Sequence, residues 1–338
     1  MNILILGASY GLFVASILLE KGFKCTIVCK EDEDENLKKN GFVLNIADKN
    51  LFYSSQVFLE NKVLSSTPRN FDYNKKYDLC FLTIQEGQLG QNEISKLMEF
   101  IGNSKIPLIS LMNIPPLLFV NKITKSKDTI FSKAYNFPDI WKEFDQNYVT
   151  HASSEPQVYK KLDTKLITIV VRHLANFKIS NFSLINEVDV LKIITSSFLK
   201  KSDPIKFRVN NSNFFCISKW SMLLTGNYRC FNNNGEIISI REAVHNDENK
   251  SSNIYNSINQ LLSKMGASRA DLVPFYMYLK ASLSLDAPSS FARVLSNGVK
   301  NLERTDKLLS IVSNFYEENN LYIDEIVKFN DEFKDIKN

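Results

Sequence analysis

Short apolar runs alternate with stretches of helical period through the first half of the chain. Residues 2–6 form an apolar run long enough for one buried strand and too short for a helix. Gly7 and Gly11 bracket a tight turn, and Leu12, Ala15 and Leu19 then recur at i, i+3 and i+7. Gly22 follows where a helix is stopped by a left-handed residue. A second apolar run, 25–29, ends in Lys30. The same reading predicts strands at 78–84, 107–112, 164–171 and 178–185, with helices at 91–102 and 188–199. Alternation of this kind implies an α/β protein with a doubly wound parallel sheet and ligands at the carboxyl ends of its strands. Lys200-Lys-Ser-Asp-Pro204, charge followed by proline, marks a boundary, which sets domains at 1–204 and 205–338. Beyond it the pattern is helical, at 218–224, 254–265, 272–284, 289–295 and 305–317, so an all-helical C-terminal domain is expected.

Strand, glycine turn, helix and strand within thirty residues is the opening of a dinucleotide-binding, or Rossmann, unit. Its turn and helix N-terminus offer backbone N–H groups to a pyrophosphate. The spacing departs from the usual fingerprint: its three glycine positions hold Gly7, Ser9 and Leu12, with Gly11 displaced by one. Ser9 keeps the backbone accessible and brings a hydroxyl within reach of a phosphate. The competing reading is a doubly wound domain that binds no dinucleotide. At the end of the second strand a basic residue favours the 2′-phosphate of NADP and an acidic one the ribose of NAD. Lys30 therefore argues for NADPH, whereas Glu31 facing the ribose would argue the opposite. The run 31–35, acidic throughout, reads as a solvated loop. With the unit starting at residue 2, the sequence reads as the start of a cytoplasmic enzyme, not as a targeting segment.

Composition narrows the class. At 338 residues the chain buries a sizeable core, and 44% hydrophobic with 23% charged residues is ordinary for a soluble globular protein. A net charge of +4 without a basic block argues against nucleic acid as partner. No run of about 18 apolar residues free of charge is present, so no membrane span is expected. The five cysteines show no metal-type spacing, and their odd number fits a reducing compartment. The three histidines are scattered and read as structural, and no metal site is expected. A hydrophobic surface on the helical domain would suit a homodimer.

Hydride transfer to a ketone needs a positioned nicotinamide, a proton donor near the developing alkoxide, and groups to hold the substrate. Lys219 stands in an apolar, aromatic context, Phe214-Phe-Cys-Ile-Ser-Lys-Trp-Ser-Met-Leu-Leu, where a charge is costly unless paired or used. An ammonium stabilises a negative oxygen and surrenders a proton when partly buried. The competing reading is a lysine that snorkels from an apolar helix. Asn227 lies eight residues on, about 12 Å along a helix axis.

These features in this order resemble ketopantoate reductase (2-dehydropantoate 2-reductase), in the wider group of reductases with a 6-phosphogluconate-dehydrogenase-like helical domain. Gly7-Ala-Ser-Tyr-Gly11 falls on the family's glycine turn, one residue shorter, which makes Ser9 and Tyr10 cofactor contacts. Lys30 falls on the basic residue that meets the NADP phosphate. Leu82-Thr-Ile-Gln-Glu-Gly-Gln88 resembles a strand ending in Val-Lys-Ala-x-x-Gln; Gln88 is kept and Gln85 replaces the lysine. Ser110-Leu-Met-Asn113 resembles a Gln-Asn-Gly segment whose asparagine lies near nicotinamide and substrate; Ile114-Pro-Pro116 replaces the glycine. In the helical domain Lys219 falls on the family's general acid and Asn227 on an asparagine that binds substrate hydroxyls, while the asparagine expected between them is Leu223. Ser289-Ser-Phe-Ala-Arg-Val-Leu-Ser-Asn-Gly298 and Glu303 resemble Ser-Ser-Met-x-x-Asp…Gly-x-x-x-Glu, with the glutamate one residue late. Ser290 would hold the substrate carboxylate and Glu303 would bond near the lysine. The stretches 153–157 and 176–178 are untypical of the main family and point to a divergent class; read by themselves they are an exposed turn around Pro156 and a strand-end charge, Lys178.

The resemblance implies NADPH-dependent reduction of a small keto acid, ketopantoate to pantoate, on the way to pantothenate and coenzyme A. The active site is expected in the cleft between the domains. Two alternatives stay open. One is a sister reductase acting on another 2-keto or opine-type acid; the other is a non-catalytic NADP(H)-binding sensor.

Overall fold

The computed structural model of the chain describes all residues except 47–48, 61, 127–128, 154, 162–164, 174, 184–189, 199–204, 233 and 338. It divides into two compact units, Met1–Phe119 with Asp139–Asn210, and Val120–Pro138 with Asn211–Asn338. The boundary expected at 200–204 lies outside the described residues.

The first unit is built on a sheet of eight strands among the described residues. They are β1 (Asn2–Leu6), β2 (Lys24–Val28), β5 (Val63–Ser66), β6 (Leu79–Leu82), β7 (Leu108–Ser110), β8 (Val149–Ser153), β11 (Phe177–Ser180) and β12 (Phe207–Asn210), ordered β12-β11-β8-β7-β6-β1-β2-β5. From β8 through β5 all neighbours are parallel; β11 runs antiparallel to β8, and β12 parallel to β11. Strand order reverses at β1, whose neighbours are β2 on one side and β6 on the other, and that switch point is where an open α/β sheet forms its ligand crevice. Helices α1 (Tyr10–Leu19), α2 (Glu31–Asn40), α3 (Gln56–Leu59), α4 (Asn92–Asn103) and α6 (Val190–Ser197) belong to this unit. Residues 3–6 of β1 and all of β6 are continuous, fully buried apolar runs because both faces are covered. Leu12, Phe13 and Val14 of α1 pack with Ile3, Ile5 and Phe81 in one buried core.

The α/β expectation holds, and the structure adds a second, smaller sheet that the sequence reading did not separate. It comprises β3 (Phe42–Ile46), β4 (Lys49–Tyr53), β9 (Gln157–Lys161) and β10 (Ile167–His173), in the order β4-β3-β10-β9. The strand expected at 178–185 is β11, which ends at Ser180; positions 184 and 185 lie outside the described residues. A larger correction concerns the acidic run, which is not a solvated loop. It opens α2, with Glu31, Asp32, Glu33 and Asp34 in the first turn, where the helix dipole favours negative charge. Glu33 and Asp34 are buried. Glu33 accepts from the Lys30 backbone N–H at 3.1 Å and pairs with Lys160 on β9, and Asp34 pairs with Lys38 at 2.8 Å.

The second unit is helical, as expected. It holds α7 (Phe214–Ile217), α8 (Lys219–Thr225), α9 (Ile240–His245), α10 (Glu248–Met265), α11 (Phe275–Ser282), α12 (Ser290–Ser296), α13 (Thr305–Phe315) and α14 (Leu321–Lys337), while α5 (Leu117–Thr124) runs from the first unit's sequence into this one's. The long helix α10 is capped by Asp247, whose side chain accepts from the Lys250 N–H at 2.8 Å, and stops at Gly266 in the left-handed region. Trp220, Leu223 and Leu224 of α8 are buried, as are Tyr255, Ile258 and Leu262 of α10, against which α8 packs. No helix among the described residues is long and apolar enough to cross a membrane.

Candidate active site

Every cofactor residue expected from the sequence in the first unit lies at the carboxyl edge of its sheet. Gly7 follows β1, with its N–H bonded to the Val28 carbonyl at 2.8 Å, and Ser9 precedes the first residue of α1, Tyr10. The displaced glycine has a structural reason. A Cβ on Gly7 would lie 2.7 Å from Ile84 Cγ2 and 3.0 Å from Thr83 Oγ1; one on Gly11 would lie 2.7 Å from Ile5 Cγ2 and 3.0 Å from the same Thr83 oxygen. The two glycines therefore close around Thr83 at the end of β6, whose hydroxyl donates to the Leu6 carbonyl at 2.6 Å. Close helix–strand approach, which the third glycine of the usual fingerprint provides, is supplied here by Gly11. Thr83 was missed in the sequence reading, and its signal is a hydroxyl ending the apolar run 79–82.

The turn fits a dinucleotide. Gly7 has φ +108°, open to glycine and strained for other residues, so the backbone approaches closely without a side chain. Ser9 makes no side-chain cap to α1 and the first turn holds no acidic residue, which leaves the helix N-terminus suited to an anion. Exposed Lys30 stands between β2 and α2, on the far side of β1 from β6. Gln85 and Gln88 are brought together, with the Gln85 N–H donating to Gln88 Oε1 at 3.1 Å in the short turn after β6. Asn113, half-buried, sits in the bend after β7, beside buried Ile114 and Pro116. Gly7→Ala is expected to lower stability by about 1–3 kcal/mol through backbone strain at this φ. Urea denaturation checks it, and a loss below about 0.5 kcal/mol would show that the turn relaxes freely.

In the second unit three of the four expected residues gather around one turn. Lys219 is the first residue of α8, half-buried between buried Ser218 and Trp220. Asn227 is not on the same helix, contrary to the distance along a helix axis inferred above. Helix α8 ends at Thr225, and Asn227 opens a separate 3-10 turn, Asn227–Arg229. The break falls at Gly226, where a Cβ would collide with the Tyr278 hydroxyl, itself donating to the Met222 carbonyl at 3.2 Å. Ser289, buried and capping α12, donates to the Asn227 carbonyl at 2.6 Å and accepts from the Ala292 N–H at 3.0 Å, which sets half-buried Ser290 beside the turn. Tyr228 reaches the third segment: its hydroxyl donates to the Glu303 carbonyl at 3.0 Å and accepts from the Thr305 N–H at 2.9 Å. Burial, then the charges of Asp306 and Glu303, push the Tyr228 pKa well up, so the hydroxyl stays neutral in this double role. Glu303 itself is buried. Leu223 is 1% exposed, so the position where the resemblance expects an asparagine is a core position here.

Ser289 and Tyr228 were missed by sequence reasoning; the only signal was a paired serine before an apolar run and an aromatic beside Asn227. The five cysteines are all buried and free. Burial pushes the Cys25 thiol up to about 12 and that of Cys230 to about 11, which makes them packing groups, not nucleophiles.

Solved structures share this architecture along the whole chain. D-mandelate dehydrogenase, solved with NADH and anilino(oxo)acetate, superposes with a TM-score of 0.69 at 14% identity, covering 100% of this chain and 99% of that one. The 2-dehydropantoate 2-reductase of Methylococcus capsulatus gives 0.68 at 11% identity, covering 100% and 98%. The 2-dehydropantoate 2-reductase of Geobacter metallireducens GS-15 gives 0.68 at 11%, covering 98% and 99%. The chain has the ketopantoate-reductase fold. At the level of sequence, no family model and no curated protein matches it. A ketopantoate-reductase fold with so little sequence in common agrees with the departures at Gln85, Ile114 and Leu223.

Proposed function

We propose that the protein is an NADPH-dependent reductase of a small 2-keto acid, with ketopantoate, reduced to pantoate, as the first substrate to test. The observation that carries the reading is the assembly around Asn227. Asparagine, serine and glutamate segments far apart in sequence are held together by buried bonds from Ser289 and Tyr228, two turns beyond a half-buried lysine. The glycine turn, Lys30 and the shared fold support the cofactor.

Bound NADPH supplies a hydride to C2 of the keto acid. Gly7, Ser9 and the start of α1 take its pyrophosphate, and Lys30 its 2′-phosphate. Lys219 holds a proton for the keto oxygen, stabilises the alkoxide as its charge develops and then protonates it. Asn227 and Asn113 orient the substrate, Ser290 takes its carboxylate, and Glu303 would bond near the lysine. Loss of NADPH absorbance with purified protein, with and without ketopantoate and with NADH in parallel, tests the reading. Fast ketopantoate-dependent oxidation favouring NADPH is the expected result. Cofactor binding without ketopantoate turnover would favour a different 2-keto acid.

That second reading has an observation of its own. Leu223 puts an apolar core side chain where the resemblance expects a polar one, and D-mandelate dehydrogenase shares the fold. A panel of 2-keto acids with bulkier or aromatic side chains separates the two.

A further inference from the structure

The stretch between β8 and β9, read from sequence as an exposed turn, is tied to the glycine turn. Tyr10 Oη donates to the Pro156 carbonyl at 3.2 Å, across 146 residues of sequence. The tyrosine ring is set edge-on against Phe13 at 5.9 Å and Phe177 at 6.2 Å. Beside Pro156, Glu155 forms an ion pair with Lys178 at 2.9 Å, with side chains only 20% and 16% exposed. Lys178 lies opposite Ser153 in the β11–β8 register. A partly buried ion pair contributes little net stability, so its worth here is in fixing geometry. Burial, then the Glu155 charge, push the Tyr10 pKa well up, so its hydroxyl stays a donor.

The direction of these contacts matters. Lys30, on the β2 side of β1, marks the adenosine half of the crevice, whereas Tyr10 leans the other way, toward β8 and β11. In a doubly wound sheet that is the side where the nicotinamide half lies.

We propose that Tyr10 is a positioning residue for the nicotinamide half of the dinucleotide, acting through the Glu155-Pro156 stretch that it ties to the start of α1. The proposal rests on the dinucleotide reading above. Tyr10→Phe keeps the ring packing and removes only the hydroxyl. Its expected effect is a rise of about five-fold in Kd and KM for NADPH, the worth of one hydrogen bond, with kcat and melting temperature nearly unchanged. Adenosine 2′,5′-bisphosphate, which lacks the nicotinamide half, should bind the variant as it binds the natural protein. Glu155→Gln should weaken NADPH similarly, and the double variant should lose less than the product of the two, because both act through one stretch. Unchanged NADPH affinity in Tyr10→Phe overturns the proposal. So does an equal loss for NADPH and the bisphosphate, which would confine Tyr10 to shaping the phosphate turn. If the natural protein binds neither compound, the dinucleotide reading itself fails and this proposal falls with it.

Discussion

Lys219→Met is expected to lower kcat by at least about 100-fold, the usual contribution of a positioned acid, with NADPH affinity held within about two-fold. Methionine keeps the unbranched stem, so what is lost is the ammonium and not the packing. Lys219 begins α8, whose next residue, Trp220, is buried against the unit's core, so the helix is anchored independently of the lysine. Turnover numbers measured at saturating keto acid, together with direct NADPH titration, separate a chemical defect from a binding one. A fall in kcat with Kd unchanged assigns the proton to Lys219. Near-normal turnover would remove Lys219 from the mechanism and return it to the role of a snorkelling surface lysine.

The carboxyl edge of the first sheet was legible in the sequence because each residue there stands where an apolar run ends. Gly7 follows 2–6, Lys30 follows 25–29, Gln85 follows 78–84 and Asn113 follows 107–112. Local pattern is enough for such positions, since strand end and ligand edge coincide in a parallel sheet. The acidic run was misread because its burial depends on a partner far away: Glu33 is covered through Lys160, 127 residues on. The second sheet was hidden for a related reason. Of its strands only β10 was expected, from the run 164–171; β3 and β9 carry Asn45 and Lys160 among the apolar residues, a pattern that reads as surface until β10 is seen lying between them. Asn227 was assigned a role by resemblance but placed on the wrong element. The helical period stops at 224 and Gly226 is a local stop signal, so a single helix running through Asn227 overruns both. The break at Gly226 is set by Tyr278, which arrives from another helix, and that contact exists only in the folded chain.

Arg304→Met is expected to be the most destabilising single change near the proposed substrate residues, at about 3–5 kcal/mol, because it strands a buried carboxylate. Arg304 donates from Nε and Nη2 to the two oxygens of Asp306, each at 2.8 Å, and from Nη1 to Asp331. Side-chain exposure is 6% for Arg304 and 0% for Asp306, so water cannot replace the guanidinium. Asn330 adds a bond to Asp306 at 3.1 Å, too little for an ionised carboxylate in that position. Burial works against the arginine charge, and the bonds to Asp306 and Asp331 more than offset it, so its pKa rises. Asp331 responds in the opposite sense: burial raises its pKa, the Arg304 bond outweighs this, and the net shift is downward. A carboxyl whose folded pKa lies below its unfolded value adds stability that is present above the unfolded value of about 4 and is lost as pH falls through the folded one. Arg304→Met removes the larger part of that contribution and leaves Lys307, 3.0 Å from Asp331, to supply the rest, so its urea midpoint should depend less on pH in the acid range than the natural protein's. Because Arg304 separates Glu303 from the Thr305 N–H that binds Tyr228, the variant should also disturb the Asn227 turn and raise the KM for the keto acid. A stability loss below about 1 kcal/mol would mean that Asp306 finds another partner or takes up a proton, and that the cluster is not what holds Glu303 in place.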